Sequence, residues 1–148
     1  MTSYPLSKPD GLRALGSTTP TTTEHADETL LERFPNPHYS DHRGVSELEV
    51  EIIAPEFTSL CPKTGQPDFA TIRVRYVPGL WCVESKSLKL YLNSFRNFGE
   101  FHEACVTRIG NALVDMLAPV RLEVIGEFTP RGGIKFWPRY AYVYTPRQ

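Results

Sequence analysis

From residue 47 onward, polar and apolar positions alternate singly, with Leu48, Val50 and Ile52 on one side and Glu47, Glu49 and Glu51 on the other. A period of two predicts a half-buried strand. Ala70, Ile72, Val74 and Tyr76 alternate in the same way with Thr71, Arg73 and Arg75. They predict a second strand, whose basic row can pair with the acidic row of the first. After Val77-Pro78-Gly79 the period lengthens, and Leu88, Tyr91, Leu92 and Phe95 recur at helical spacing until Asn97-Phe98-Gly99. Cys105, Val106, Ile109, Ala112, Leu113 and Met116 then mark the inner face of a second helix, which Pro119 closes. Two further alternating segments follow, first Val120, Leu122 and Val124, then Ile134, Phe136, Tyr140, Tyr142 and Tyr144. The order strand, strand, helix, helix, strand, strand predicts an α+β fold: an antiparallel four-stranded sheet with a helical hairpin on one face. Its apolar edges are expected to be covered by self-association.

Residues 1–44 read differently, being rich in Ser, Thr and Pro with isolated apolar beads at Leu12, Leu15, Leu30, Leu31 and Phe34. They are expected to form a polar N-terminal arm, partly ordered by docking, ahead of a catalytic domain over 45–148. The length of 148 residues suits one domain, too small for a separate cofactor-binding unit. With 16 basic against 17 acidic residues, no global field draws the chain to nucleic acid or an anionic membrane. No apolar run approaches the roughly 20 residues that span a bilayer, and a soluble, cytoplasmic protein is expected. Three cysteines cannot all pair within one chain, so free thiols in a reducing compartment are expected.

Chemistry concentrates at a few points. Cys61 follows the first strand in a loop with Pro62, Gly65 and Pro67. A lone cysteine also reads as a small buried apolar residue, but turn N–H groups can favour its thiolate. Asp68 closes the same loop, either as a turn cap or as a proton donor. His102 and Glu103 open the second helix, where a polar pair is either a solvated first turn or a reader of a nucleobase edge. Glu84 holds the equivalent place before the first helix. Lys86 and Lys89 lie on one helical face, as a wet surface or a phosphate contact. Arg131, in a turn with Gly132 and Gly133, suits either a hairpin or a phosphate. No G-x-G-x-x-G segment follows a strand, so any dinucleotide needs another cradle. A zinc reading would take Cys61, His102 and Cys105 as ligands, in a cyclohydrolase or pterin-type enzyme. No C-x-x-C pair supports it, and the other histidines lie at 25, 38 and 42, so no metal is expected.

The run Glu84-Ser-Lys-Ser-Leu-Lys-Leu-Tyr91 resembles the signature of the NADPH-dependent 7-cyano-7-deazaguanine reductases of queuosine biosynthesis. Phe34-Pro-Asn36, Pro55-Glu-Phe-Thr-Ser-Leu-Cys-Pro62, Thr64-Gly-Gln-Pro-Asp-Phe69, Ser94-Phe-Arg96, Phe101-His-Glu103 and Pro130-Arg-Gly-Gly-Ile134 are similar to further segments of that family, in family order. The resemblance spans roughly residues 30–145. It implies a short, single-repeat tunnelling fold that assembles as a ring of subunits sharing active sites. It implies that Cys61 captures the nitrile as a thioimide, that Asp68 supplies protons, and that two NADPH are consumed per nitrile. It further implies that Val83, Glu84, Ser85, His102 and Glu103 hold the deazaguanine, and that Lys86, Lys89 and Arg131 hold NADPH. With the ligand 7-cyano-7-deazaguanine as partner, direct binding of nucleic acid is not expected. Cys105, on the His102 face of its helix, is expected to protect Cys61 as a disulfide.

Overall fold

Four residues at every second position, Ala70, Ile72, Val74 and Tyr76, are each no more than 4% exposed, and this row is the spine of the core. The computed structural model describes residues 25–39 and 47–146. Most of the expected N-terminal arm, Leu12 and Leu15 included, lies outside the described residues.

The elements run β1 (Arg33–Pro35), β2 (Val50–Leu60), β3 (Pro67–Val77), β4 (Trp81–Val83), α1 (Ser85–Asn93), α2 (His102–Leu117), β5 (Arg121–Phe128) and β6 (Arg139–Val143). The fold is α+β. One antiparallel sheet has the order β2-β3-β5-β6, and a two-stranded ribbon pairs β1 with β4. On the sheet's inner face Leu122, Val124 and Phe128 of β5 join the β3 row and meet Cys105, Val106, Ile109 and Leu113 of α2. Gly110 of α2 lets β6 pack against the helix as well, since a Cβ there would lie 2.3 Å from the Tyr140 ring. The outer face carries ion pairs, among them Arg73–Glu127 at 2.7 Å and Arg75–Glu49 at 3.3 Å. Only the second of these links β3 to the acidic row that precedes it.

The alternation misleads in two places, both near the chemistry. Between Ala54 and Phe57 the β2–β3 register slips, leaving Pro55 and Glu56 as a bulge. Proline has no N–H for the ladder, and the extra residue reverses which side chains face inward. Before the bulge the half-buried positions are Val50, Ile52 and Ala54; after it the buried ones are Phe57 and Ser59. The second correction concerns Ile134 and Phe136, which are not in a strand. The double hydrogen bond between Arg131 and Ile134 closes a local turn with Gly132 and Gly133 at φ 56° and 78°, and β6 begins only after Pro138. Both residues are instead exposed in the β5–β6 loop.

The β1–β4 ribbon is too short to show a period and was not expected. It is held by polar bonds: Asn36 donates its side-chain N–H to the Gly79 carbonyl at 2.8 Å, and Glu84 N–H donates to the Glu32 carbonyl at 2.9 Å. Ser87 Oγ accepts from the Glu32 N–H at 3.0 Å. Thus residues 32–36, part of the segment read as an arm, dock beside the start of α1. Among the described residues no helix is long and apolar enough to cross a membrane.

Candidate active site

Three chain segments meet at the end of the sheet where β2 stops and β3 begins. The Leu60 N–H donates to the Phe98 carbonyl at 2.9 Å and the Glu100 N–H to the Leu60 carbonyl at 3.1 Å. These bonds clamp the start of α2 to the end of β2 and bring His102 beside the cysteine loop. The Thr129 N–H donates to the Phe69 carbonyl at 2.9 Å, tying down the β5–β6 loop. Between the segments lies a cavity of about 370 Å³, whose lining includes Cys61, Asp68, His102, Glu103, Arg131 and Phe136.

Cys61 lines this cavity, half-buried. Its N–H donates to the Gln66 carbonyl at 2.8 Å and its carbonyl accepts from the Gly65 N–H at 2.9 Å, closing a tight loop with Gly65 at φ 68°. That loop aims donors at sulfur. The Thr64 hydroxyl, the N–H groups of Thr64 and Lys63, and the Arg131 guanidinium lower the thiol from its ordinary range to about 6. Such a group is largely thiolate at neutral pH and hence nucleophilic. Thr64 is a residue that sequence reasoning did not single out, although a hydroxyl three positions after a turn cysteine was the available signal.

Asp68 sits opposite Ser59 in the β2–β3 register, on the inner face, and is 4% exposed. The bulge makes this pairing possible by turning Ser59 inward. A carboxylate so buried needs partners. It has two, His102 Nε2 at 3.3 Å and the Arg131 guanidinium. Arg131 therefore joins thiol to carboxylate, and its own affinity for its proton is raised, chiefly by hydrogen bonding to Cys61. His102 is stacked on Phe128, rings 3.7 Å apart and 9° from parallel, so its orientation is set by a core residue. Glu103 is exposed at the cavity rim, where its carboxylate is available to a ligand edge.

The other expected site residues gather elsewhere in the chain. Val83, Ser85 and Lys89 line a second, more apolar cavity of about 530 Å³ between β2 and α1. Glu84 is 6% exposed and caps α1, accepting from the N–H groups of Lys86 at 2.8 Å and Ser87 at 2.7 Å. Capping satisfies two of the helix's orphan donors. Lys86 is half-buried and Lys89 exposed on the following turns. Within one chain, then, Cys61, Asp68, His102, Glu103 and Arg131 are brought together, whereas Val83, Glu84, Ser85, Lys86 and Lys89 form a separate group.

Cys105 lies beneath the first group, fully buried, with its thiol facing the Glu100 carbonyl at 4.0 Å. Burial and the Glu100 charge push it up to about 12. All three cysteines are free. Among the described residues no three His, Cys, Asp or Glu side chains are grouped as a metal site.

Comparison with known proteins identifies the family. A family model described as QueF-like protein matches residues 67–146. An NADPH-dependent 7-cyano-7-deazaguanine reductase of Streptococcus mutans is 56% identical over 116 residues, covering 78% of this chain and 68% of the relative. The protein of the same name from Streptococcus thermophilus is 52% identical over 132 residues, covering 88% and 77%. That of Parvibaculum lavamentivorans is 53% identical over 131 residues, covering 86% and 81%. The crystal structure of an archaeosine synthase QueF-Like in the apo form superposes with a TM-score of 0.59 at 16% identity, covering 70% of this chain and 100% of the other, a likeness of fold.

Proposed function

Because the chain belongs to the QueF-like family, we propose that it reduces the nitrile of 7-cyano-7-deazaguanine to the primary amine with NADPH, as the names of its relatives describe. The observation that carries this reading is the low thiol of Cys61, held by Thr64 and Arg131 beside the buried carboxylate of Asp68. A nitrile is a weak electrophile, and a positioned thiolate can convert it to a more reactive C=N group. Sulfur bonds to the nitrile carbon while a proton passes to nitrogen, and the product is a thioimide. In its protonated form Asp68, 3.3 Å from His102 Nε2, supplies that proton and is recharged through the imidazole. NADPH, when bound, supplies the two hydrides the nitrile requires. One further proton reaches nitrogen during reduction to the amine, and a second goes to sulfur as the carbon–sulfur bond breaks and the thiol is returned.

Glu103 and His102 hold the polar edge of the deazaguanine, in this reading. Val83, Glu84 and Ser85 complete the pocket from a second copy, in keeping with Val83 and Ser85 lining a different cavity within one chain and Glu84 capping the helix beside it. Lys86 and Lys89 suit the cofactor phosphates, being cationic side chains on the first turns of α1, and Arg131 lies at the thiol end. A tunnelling-fold ring of subunits follows from the same division of the site, with 7-aminomethyl-7-deazaguanine passed on to queuosine formation.

The test is intact-protein mass after mixing with 7-cyano-7-deazaguanine in the absence of NADPH. Addition to a nitrile expels nothing, so a gain of the whole ligand mass on the Cys61 peptide, discharged by NADPH, is expected. Ligand binding without an adduct at a free Cys61 thiol would overturn the covalent route.

A further inference from the structure

The polar groups of the Cys61 cavity leave one requirement of a flat heteroaromatic ligand unmet. Cys61, Asp68, Arg131 and Glu103 can meet its reactive carbon and its polar edge, but a ring also has two apolar faces. Two exposed aromatic side chains of the lining, Phe101 and Phe136, can meet such a face, and the ring of Phe136 stands beside His102. Phe136 is 47% exposed and belongs to no strand, and its ring lies 6.0 Å from that of His102, tilted by 58°. His102 is already stacked on buried Phe128, so the imidazole has a fixed wall on that side. Phe136 faces the cavity from the loop. Its placement is held from both ends: the Arg131–Ile134 turn precedes it, Trp137 Nε1–H donates to the Phe128 carbonyl at 3.3 Å, and Gly126 N–H donates to the Pro138 carbonyl at 3.0 Å.

We propose that Phe136 is a specificity-determining side chain of this cavity, which covers a face of the bound deazaguanine ring and keeps water from the nitrile carbon once Cys61 has captured it. This rests on the reading of the preceding section and deepens it. Aromatic rings bind bases by stacking without regard to edge chemistry, which complements the edge contacts of Glu103. Water exclusion matters because the captured carbon has a second fate. Water can add to the C=N carbon, the carbon–sulfur bond then breaks, and the ligand leaves as a carboxamide while the thiol regains its proton. No oxidant or reductant is consumed. An uncovered cavity therefore hydrates the nitrile instead of reducing it.

The experiment compares wild type, Phe136→Ala and Phe136→Tyr with 7-cyano-7-deazaguanine and NADPH, measuring KM, the amine and carboxamide products by mass spectrometry, and the rate of Cys61 alkylation by iodoacetamide. Phe136→Ala is expected to raise KM for the nitrile about tenfold to a hundredfold and to release carboxamide, with alkylation no slower than wild type. Phe136→Tyr, which keeps the ring, is expected to restore KM and product ratio. An unchanged KM with amine as sole product in Phe136→Ala overturns the proposal while leaving the reductase reading intact. So does slowed alkylation in that variant, which would mark a structural lesion. A wild-type protein that neither reduces nor captures the nitrile overturns the underlying reading instead.

Discussion

Two cavities of the molecule are each lined by a cysteine, and the two thiols are driven in opposite directions. Cys61 stands in the smaller cavity among Thr64, Lys63 N–H and Arg131, and is lowered to about 6. Cys82 lines the larger, apolar cavity, is 5% exposed, and is raised by burial, its largest influence. The same side chain is thus surrounded by donors that favour the thiolate at one place and buried as a neutral core group at the other. Size and apolarity of a cavity measure how much a ligand can bury, whereas reactivity depends on where fixed donors converge. In this protein the two properties are separated.

Replacing each cysteine by alanine is the sharpest way to break the contrast. Cys61→Ala is expected to abolish the nitrile adduct and reduce nitrile-dependent NADPH oxidation on the order of 10⁴-fold or more, as loss of a covalent nucleophile does. Cys82→Ala should leave the adduct mass unchanged and lower stability in chemical denaturation by about 1–2 kcal/mol, the effect of a small core cavity. Comparable loss of adduct in both variants would erase the distinction. A smaller effect is expected from Asp68→Asn, which keeps shape but cannot exchange a proton in the same way. Turnover should fall about 10²- to 10⁴-fold in single-turnover assays while iodoacetamide still labels Cys61.

The smallest expected effect is a change of pH dependence. Thiolate is the reactive form, so alkylation of Cys61 should rise with pH through a midpoint near 6 and level off above it. Thr64→Val removes the hydroxyl that contributes most to the lowering, and its midpoint should move upward, making the variant slower than wild type near neutrality. Coincident profiles would assign the low thiol to the backbone and Arg131 instead.

Much of this was legible in the chain. Alternation over 70–76 and the helical spacing over 105–113 marked residues that are buried on one face, because a sheet and a helix each expose a fixed period to the core. The cysteine loop and Asp68 were legible as chemistry because their residue types and turn signals are local. Three features were not. The Pro55–Glu56 bulge inverts the inward phase of β2, and only pairing with β3 reveals the inversion. The β1–β4 ribbon is three residues a side, shorter than any periodic signal. Ile134 and Phe136 continue an apolar alternation, yet the turn at Arg131–Ile134 and Pro138 remove them from the ladder.

The sequence by itself determined the long strand over 70–76, the two helices, the turn-rich loop of Cys61 and the family, since each depends on neighbours a few residues apart. Tertiary structure alone decided which groups share a cavity. Cys61, His102 and Arg131 are separated by tens of residues, and they converge because the Leu60–Phe98 and Phe69–Thr129 backbone bonds join three loops at one end of the sheet. The same packing sent Glu84 to cap α1 and left Lys89 at another cavity, a division that no spacing along the chain encodes.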